Sequence, residues 1–347
     1  MMAARVSLVK GPSRYDNIRR GLELIEADIR LEPDQTIVVK PNLTSSTTAL
    51  AITHVEALRA VLRFLRERTS ASIIIAEGTG TAAESTPVAF KQFGYYALAQ
   101  KFGVALVDLN KDTGVEVQLL NSRLQPMTIK VSRTLLEANY RVSVTMPKTH
   151  DTVVMTASLK NMIMAGPLRR QGAISERLIT FISRHIPRSI LYAPFMHGLR
   201  AQAPTSKDNY KALIHQGYPA MNMNLFLLAR LLKPHLAVID GFQGMEGEGP
   251  VGGREVALGL ALASTDAVAA DVVAAKIMGF DLEQIGYLHY CHRAGLGEGD
   301  LDKITILGER MEEHIRPFRP HSTVKEQLEW HLPEAETILS GAGVAFG

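Results

Sequence analysis

Lys148, His150 and Lys160 fall within one stretch, RVSVTMPKTHDTVVMTASLKN at residues 141–161, which ends on Asn161. Residues 142–146 read as a buried strand, and a histidine just beyond such a strand can act as general base or metal ligand. Alternate residues of an extended segment face the same way, so Lys148 and His150 are expected to point into one crevice. Lys160 comes one helical turn after Thr156 and two after Thr152, with Met155, Leu159 and Met162 on the opposite, apolar side. That spacing predicts a helix that turns Lys160 toward the pocket as anion clamp, proton donor or Schiff-base amine. The plain alternative is a solvated helix face. Asn161 is expected either at the ligand or capping a neighbouring loop.

Lys40 and Asn42 follow another buried run, where Lys40 offers a point charge for a carboxylate or phosphate and Asn42 an orienting donor. A lysine snorkelling from a strand end would look the same. The second focus is the glycine-rich loop of residues 240–250. There Gly241, Gly244, Gly247 and Gly249 permit close approach to a ligand, and Asp240, Glu246 and Glu248 supply general acid/base groups or oxygen ligands for a divalent cation. A tight turn with solvated acids is the alternative. The loop matches neither GxGxxG nor GxxxxGK[ST], which disfavours a dinucleotide site and a P-loop. His54, Glu77 and His215 are secondary candidates for the same crevice. His289 and His292, on either side of Cys291, read as a helix surface because no further metal-ligand spacing accompanies them.

The elements that must position these residues alternate. Strands are predicted at residues 5–9, 36–39, 72–76, 104–109, 142–146, 236–239, 256–263 and 304–307. Helices are predicted at 14–29, from Thr53 to 65 with Thr53 as cap, from Thr86, at 222–232, at 265–278 with Thr265 as cap, at 282–294 and at 324–339. The pattern is that of an α/β fold: a mostly parallel sheet with helices on both faces, and a hairpin of residues 115–120 and 127–131 appended. Residues 168–215 carry eight Lys or Arg against two acids and are expected to be an inserted, helical basic cap. The core would then comprise residues 1–167 and 216–347. In such a sheet, ligands bind beyond the carboxyl ends of the strands.

Composition places the chain in the ordinary globular class, at 347 residues, 46% hydrophobic and 21% charged. A net charge of +3 is too small to imply nucleic acid or membrane by itself. With Cys291 as the sole cysteine, an intramolecular disulfide framework and a cysteine-ligated iron–sulfur cluster are excluded within one chain. No signal-peptide pattern and no long apolar run is present, so a cytoplasmic protein without a membrane span is expected.

Five pieces taken together resemble the family catalogued as domain of unknown function 362: VVKPNL at 38–43, MPKTH at 146–150, SLKNMIMAGP at 158–167, VIDGFQGMEGEGPVGG at 238–253 and ASTDAVAADVVAAKIMG at 263–279. The matching positions are Lys40, Asn42, Lys148, His150, Lys160, Asn161, Asp240, Glu246, Gly249, Pro250 and Asp266. Some relatives carry ferredoxin-type cysteine motifs. This chain departs from them, so the electron-transfer role those motifs suggest does not carry over.

The sequence therefore points to an enzyme for a small anionic substrate. Lys40, Lys148 and Lys160 would neutralise its carboxylate or phosphate, with Asn42, Asn161, His54, His215 and Gly249 as further contacts. His150 would move a proton, and Asp240 or Glu246 would orient it or hold a divalent cation. A non-catalytic metal- or cofactor-binding protein is the alternative. A nucleic-acid or membrane surface on the basic insertion ranks last, because that segment lacks a nucleic-acid-reading pattern. Homo-oligomerisation through the apolar C-terminal residues 342–346 stays open.

Overall fold

A computed structural model describes residues 3–80, 85–169 and 209–344. Its centre is an eight-stranded sheet of order β14-β1-β13-β10-β7-β2-β3-β4. The strands are β1 (Ala4–Lys10), β2 (Thr36–Pro41), β3 (Ser72–Glu77), β4 (Ala105–Asp108), β7 (Tyr140–Thr145), β10 (Leu236–Ile239), β13 (Leu260–Ser264) and β14 (Ile304–Gly308). All run in one direction except β13, which is antiparallel to both β1 and β10. The remaining strands are β5 (Gly114–Leu120) and β6 (Pro126–Ser132), which form the appended hairpin; β8 (Lys148–Thr149), β9 (Met155–Thr156), β11 (Gln243–Glu246) and β12 (Arg254–Ala257) make a small sheet of order β12-β11-β8-β9.

Burial on both faces explains the near-continuous apolar strands. Successive residues alternate between two core clusters: Ile37 and Val39 pack with Leu236 and Val238 on one side, while Val38 packs with Ala237, Ile239 and Leu262 on the other. Against the first side lie α1 (Arg14–Leu24), α2 (Val55–Arg66), α3 (Thr86–Gln92) and α4 (Tyr95–Phe102). After α5 (Arg133–Glu137), the second side is covered by α6 (Ser158–Met164), α8 (Tyr218–Leu232), which follows the single turn α7 (Tyr210–Leu213), α9 (Ala267–Ile277) and α10 (Gly286–Arg293). Two short helices, α11 (Val324–Gln327) and α12 (Ala335–Gly341), close the chain. Buried Asn224 of α8 ties the hairpin down by accepting from Leu120 N–H and donating to Leu120 O, both at 2.8 Å.

Three expectations are corrected. Residues 256–263 are not one strand: Gly259 turns with φ +69°, splitting β12 from β13 and sending them to different sheets. His54, not Thr53, caps α2, because the buried Thr53 hydroxyl is already bonded to Val144 O and to Asn42 N–H. Asp266, not Thr265, caps α9, its carboxylate accepting from Val268 and Ala269 N–H. The expected basic cap falls mostly on residues 170–208, outside the described residues. The chain leaves at Arg169 and returns at Asn209, and these two are paired as an antiparallel bridge.

Candidate functional site

The chain runs outward from β2 through β3 to β4, then returns to the other side of β2 with β7 and continues to β10. Neighbouring connections therefore diverge between β2 and β7, the position at which open sheets of this kind place a ligand, at the carboxyl ends of these strands. Lys40 and Ser143 are register partners there. The chain past each strand end supplies the rest: Asn42 and Thr44 from β2, Lys148 and His150 from β7.

The helical spacing expected from Thr152 through Thr156 to Lys160 does not hold, since the helix begins only at Ser158. Lys148 and Thr149 instead pair with Met155 and Thr156, and His150 N–H closes the turn on Val154 O at 2.9 Å with Val154 at φ +63°. Thr152 and Thr156 thus do not share a helix with Lys160, which enters the site from the first turn of α6. That turn is capped from another element: the Asp271 carboxylate, fully buried on α9, accepts from Ser158 N–H at 2.7 Å and Leu159 N–H at 2.8 Å. Burial pushes Asp271 up to about 7 while those two N–H bonds pull it down.

Asn161 is the hub. Its Oδ1 accepts from Lys40 Nζ at 2.6 Å and Asn42 Nδ2 at 3.0 Å, and its Nδ2 donates to Ser143 Oγ at 2.9 Å. Lys40 Nζ also meets Glu77 Oε2 at 2.9 Å. Lys148 Nζ donates to Asn42 Oδ1 at 2.7 Å and to Thr44 Oγ1 and Ala51 O, each at 3.2 Å. Lys160 Nζ lies 2.9 Å from His150 Nε2. On the far side of the imidazole, Nδ1 is 3.0 Å from both the Thr152 N–H and Asp151 Oδ1. All of Lys40, Asn42, Lys148, His150, Lys160 and Asn161 are buried.

Burial of so many cations governs their titration. It lowers Lys148 well below its ordinary value, with Lys160 and Lys40 adding to the effect. It brings Lys160 down to about 8, Asp151 opposing and Lys40 assisting. Burial and the Lys160 charge hold His150 well below its ordinary value, so the imidazole is neutral. Burial raises Asp151, yet His150 and the Thr152 hydroxyl overcome that and hold it at about 2. Lys40 is lowered by burial and partly restored by Glu77.

The heavy atoms suit two proton arrangements. In one, the Lys160 ammonium donates to Nε2 while Nδ1–H faces Asp151; in the other, Nδ1 accepts from Thr152 and Nε2–H faces a neutral amine. His215 belongs to the same neighbourhood, since the charges of Lys160 and Asp151 act on it and burial lowers it. Its Nδ1 donates to Lys211 O at 2.7 Å, which leaves Nε2 as an acceptor. His215 is exposed to solvent although protein surrounds it, and the Asp151 side chain is 24% accessible. Both side chains are thus reachable from solvent.

Other sequence candidates are placed elsewhere. Asp240 pairs with Arg14, Nε to Oδ2 at 2.8 Å, and Arg14 continues to Gln243 Oε1 at 2.6 Å. Burial raises Asp240 to about 6 against the pull of Arg14. Glu246 Oε2 accepts from Arg319 N–H at 3.0 Å. Gly249 is a packing requirement, because a Cβ there would stand 2.0 Å from Thr149 O. His54 Nδ1 accepts from Glu56 N–H at the start of α2. The structure brings none of these four into hydrogen-bond contact with the lysine network. Among the described residues, no group of three or more His, Cys, Asp or Glu side chains is arranged to hold a metal ion.

The sequence model of the family described as "Domain of unknown function (DUF362)" matches residues 37–276. The chain belongs to the DUF362 family. The matched stretch contains every member of the lysine network. No curated protein sequence matches the chain at a significant level. Among solved structures, the chain is similar to the lactate racemase apoprotein from Thermoanaerobacterium thermosaccharolyticum, with 12% identity and a TM-score of 0.37 over 71% of this chain and 51% of that one. The chain thus spans about half the length of that protein. Within the described residues, no helix is long and apolar enough to cross a membrane.

Four contributors escaped the sequence reading. Asp271 had a signal, being the only acid inside the apolar helix α9. Lys211 was counted with the surface of the basic insertion, but it is buried and its Nζ donates to Gly78 O at 2.8 Å. Ser143 and Gln327 had none. Gln327, outside the family match, donates from Nε2 to His150 O at 2.9 Å and accepts from Val154 N–H, fixing the turn that carries His150.

Proposed function

We propose that this DUF362 protein is an enzyme that binds a small anionic substrate beyond β2 and β7 and transfers a proton through Lys160 and His150. The contact that carries the reading is Lys160 Nζ to His150 Nε2 at 2.9 Å between two buried side chains. An amine titrating at about 8 both gives and takes a proton near neutral pH. As Lys160 passes its proton to Nε2, the Nδ1 hydrogen can leave toward Asp151 and solvent. Lys40 would then act as a positive charge for the substrate, and Lys148, whose proton burial loosens, would be recharged as the anion arrives, in surroundings where water screens them little. Asp240 and Glu246 drop out of the chemistry on this reading, since Arg14 and the Arg319 N–H occupy them.

The test incubates the protein in deuterium oxide with a panel of small carboxylates and phosphate monoesters, reading deuterium uptake and product formation by mass spectrometry. Lys160→Met and His150→Gln are each expected to lose about 100-fold or more in rate, the usual scale of a lost acid or base. Rates equal to wild type in both variants, with folding confirmed by circular dichroism, contradict the assignment.

A further inference from the structure

Lys211 extends the buried positive region past the site itself. Its Nζ bonds only to Gly78 O among the described groups, next in sequence to Glu77, whose own carboxylate meets Lys40. Four buried lysines therefore lie along one continuous path: Lys160 and Lys148 at one end, Lys40 in the middle through Asn161 and Asn42, and Lys211 beyond Glu77. Three carboxylates act on them, Glu77, Asp108 and Asp151, while the buried Arg169 adds positive charge beside Lys211. Glu77 is bonded to Lys40, and Asp151 faces the imidazole of His150. Among the described residues, no carboxylate lies within 4.0 Å of the Nζ of Lys148, Lys160 or Lys211. Glu77 and Asp108 act on Lys211, Asp151 on Lys160 and Glu77 on Lys148 only from beyond contact distance. Buried ammonium groups without a carboxylate in contact are costly, and an apolar residue of similar size would serve packing better. A ligand that brings the missing charge removes that cost.

We infer that the substrate of this site carries two negative charges, with Lys148 and Lys160 facing one and Lys211 facing the other. This rests on the reading of the cluster as an anion site and adds the substrate class, a diacid or a phosphate. Binding has a proton linkage. Burial lowers Lys160 and Lys211 each to about 8, so near that pH a fraction of each is neutral, and an arriving dianion draws protons back onto them. Affinity accordingly falls as pH rises above about 8.

Isothermal titration of the full chain with propionate, succinate and inorganic phosphate tests this. Succinate or phosphate is expected to bind about 30-fold tighter than propionate, and the tighter of the two identifies a diacid or a phosphate. Repeating the titration near pH 8 in buffers of different ionisation enthalpy is expected to show net proton uptake with the dianion. Lys211→Met is expected to weaken dianion binding about 30-fold with propionate unchanged, while Lys211→Arg keeps the preference. Propionate binding as tightly as both dianions, or dianion binding without proton uptake, overturns the two-charge inference and leaves the anion site standing. Absence of binding by all three overturns the anion site as well.

Discussion

Two polar regions stand at the carboxyl edge of the same sheet and differ in how their charges are matched. Past β10, Asp240 meets the Arg14 guanidinium, which is further held by Gln243 and by the face of Phe242 at 4.9 Å. Past β2 and β7, only Lys40 of four buried lysines touches a carboxylate among the described residues, and much of their bonding goes to amide and carbonyl oxygens or to an imidazole. The first region has the composition expected of a catalytic loop, yet its acids are paired within the protein; in the second, Lys148, Lys160 and Lys211 touch no carboxylate among the described residues. On the proposed reading, charge balance, more than the density of acidic or glycine residues, separates the ligand site from the turn.

Removing one partner from each region should expose that difference. Arg14→Met leaves Asp240 buried beside no counter-charge, and chemical denaturation is expected to show a loss of about 3 kcal/mol. Lys148→Met removes a buried amine that has no carboxylate partner among the described residues, so stability should stay within about 1 kcal/mol of wild type or rise, while phosphate binding is lost. An equal loss of stability in both variants would erase the distinction between the regions.

The pH dependence separates the regions by sign. Lys160 has its folded pKa lowered from 10.5 to about 8, so its contribution is present above the unfolded value and is lost as pH falls through about 8. Lys160 alone should therefore raise stability with pH across that interval, by about 3 kcal/mol, and Lys160→Met should remove that rise. Asp240 is raised from 3.8 to about 6, so its contribution is present below the unfolded value and is lost as pH climbs through about 6. Denaturant titrations over both intervals check the two slopes. Because buried Cys291 and the buried tyrosines pull the wild-type curve down above pH 9, the lysine slope is read as the difference between wild type and Lys160→Met, and parallel curves would contradict the lysine assignment.

Much of the fold was legible because its signals are local. Apolar runs such as residues 37–39 and 236–239 mark strands buried on both faces, and the alternation with helices implies a parallel sheet. The motif resemblance then singled out Lys40, Asn42, Lys148, His150, Lys160 and Asn161, which the structure joins in one neighbourhood. What sequence withheld depends on contacts between distant segments. Arg14 is 226 residues from Asp240, and Gln327 is 177 from His150. Thr53 satisfies the capping pattern, yet a bond to Val144 O, 91 residues away, takes its hydroxyl. The helical spacing through Thr152, Thr156 and Lys160 failed because β8 and β9 pair over only two residues each, too short to leave a strand pattern.

The central claim is that Lys160 is a proton-transferring amine in a site short of negative charge. Its titration can be followed in protein labelled with nitrogen-15 at lysine, the signal assigned by its absence from Lys160→Met. The account predicts a midpoint near 8 that moves upward when phosphate is added. A midpoint near the ordinary 10.5, unmoved by phosphate, would contradict it.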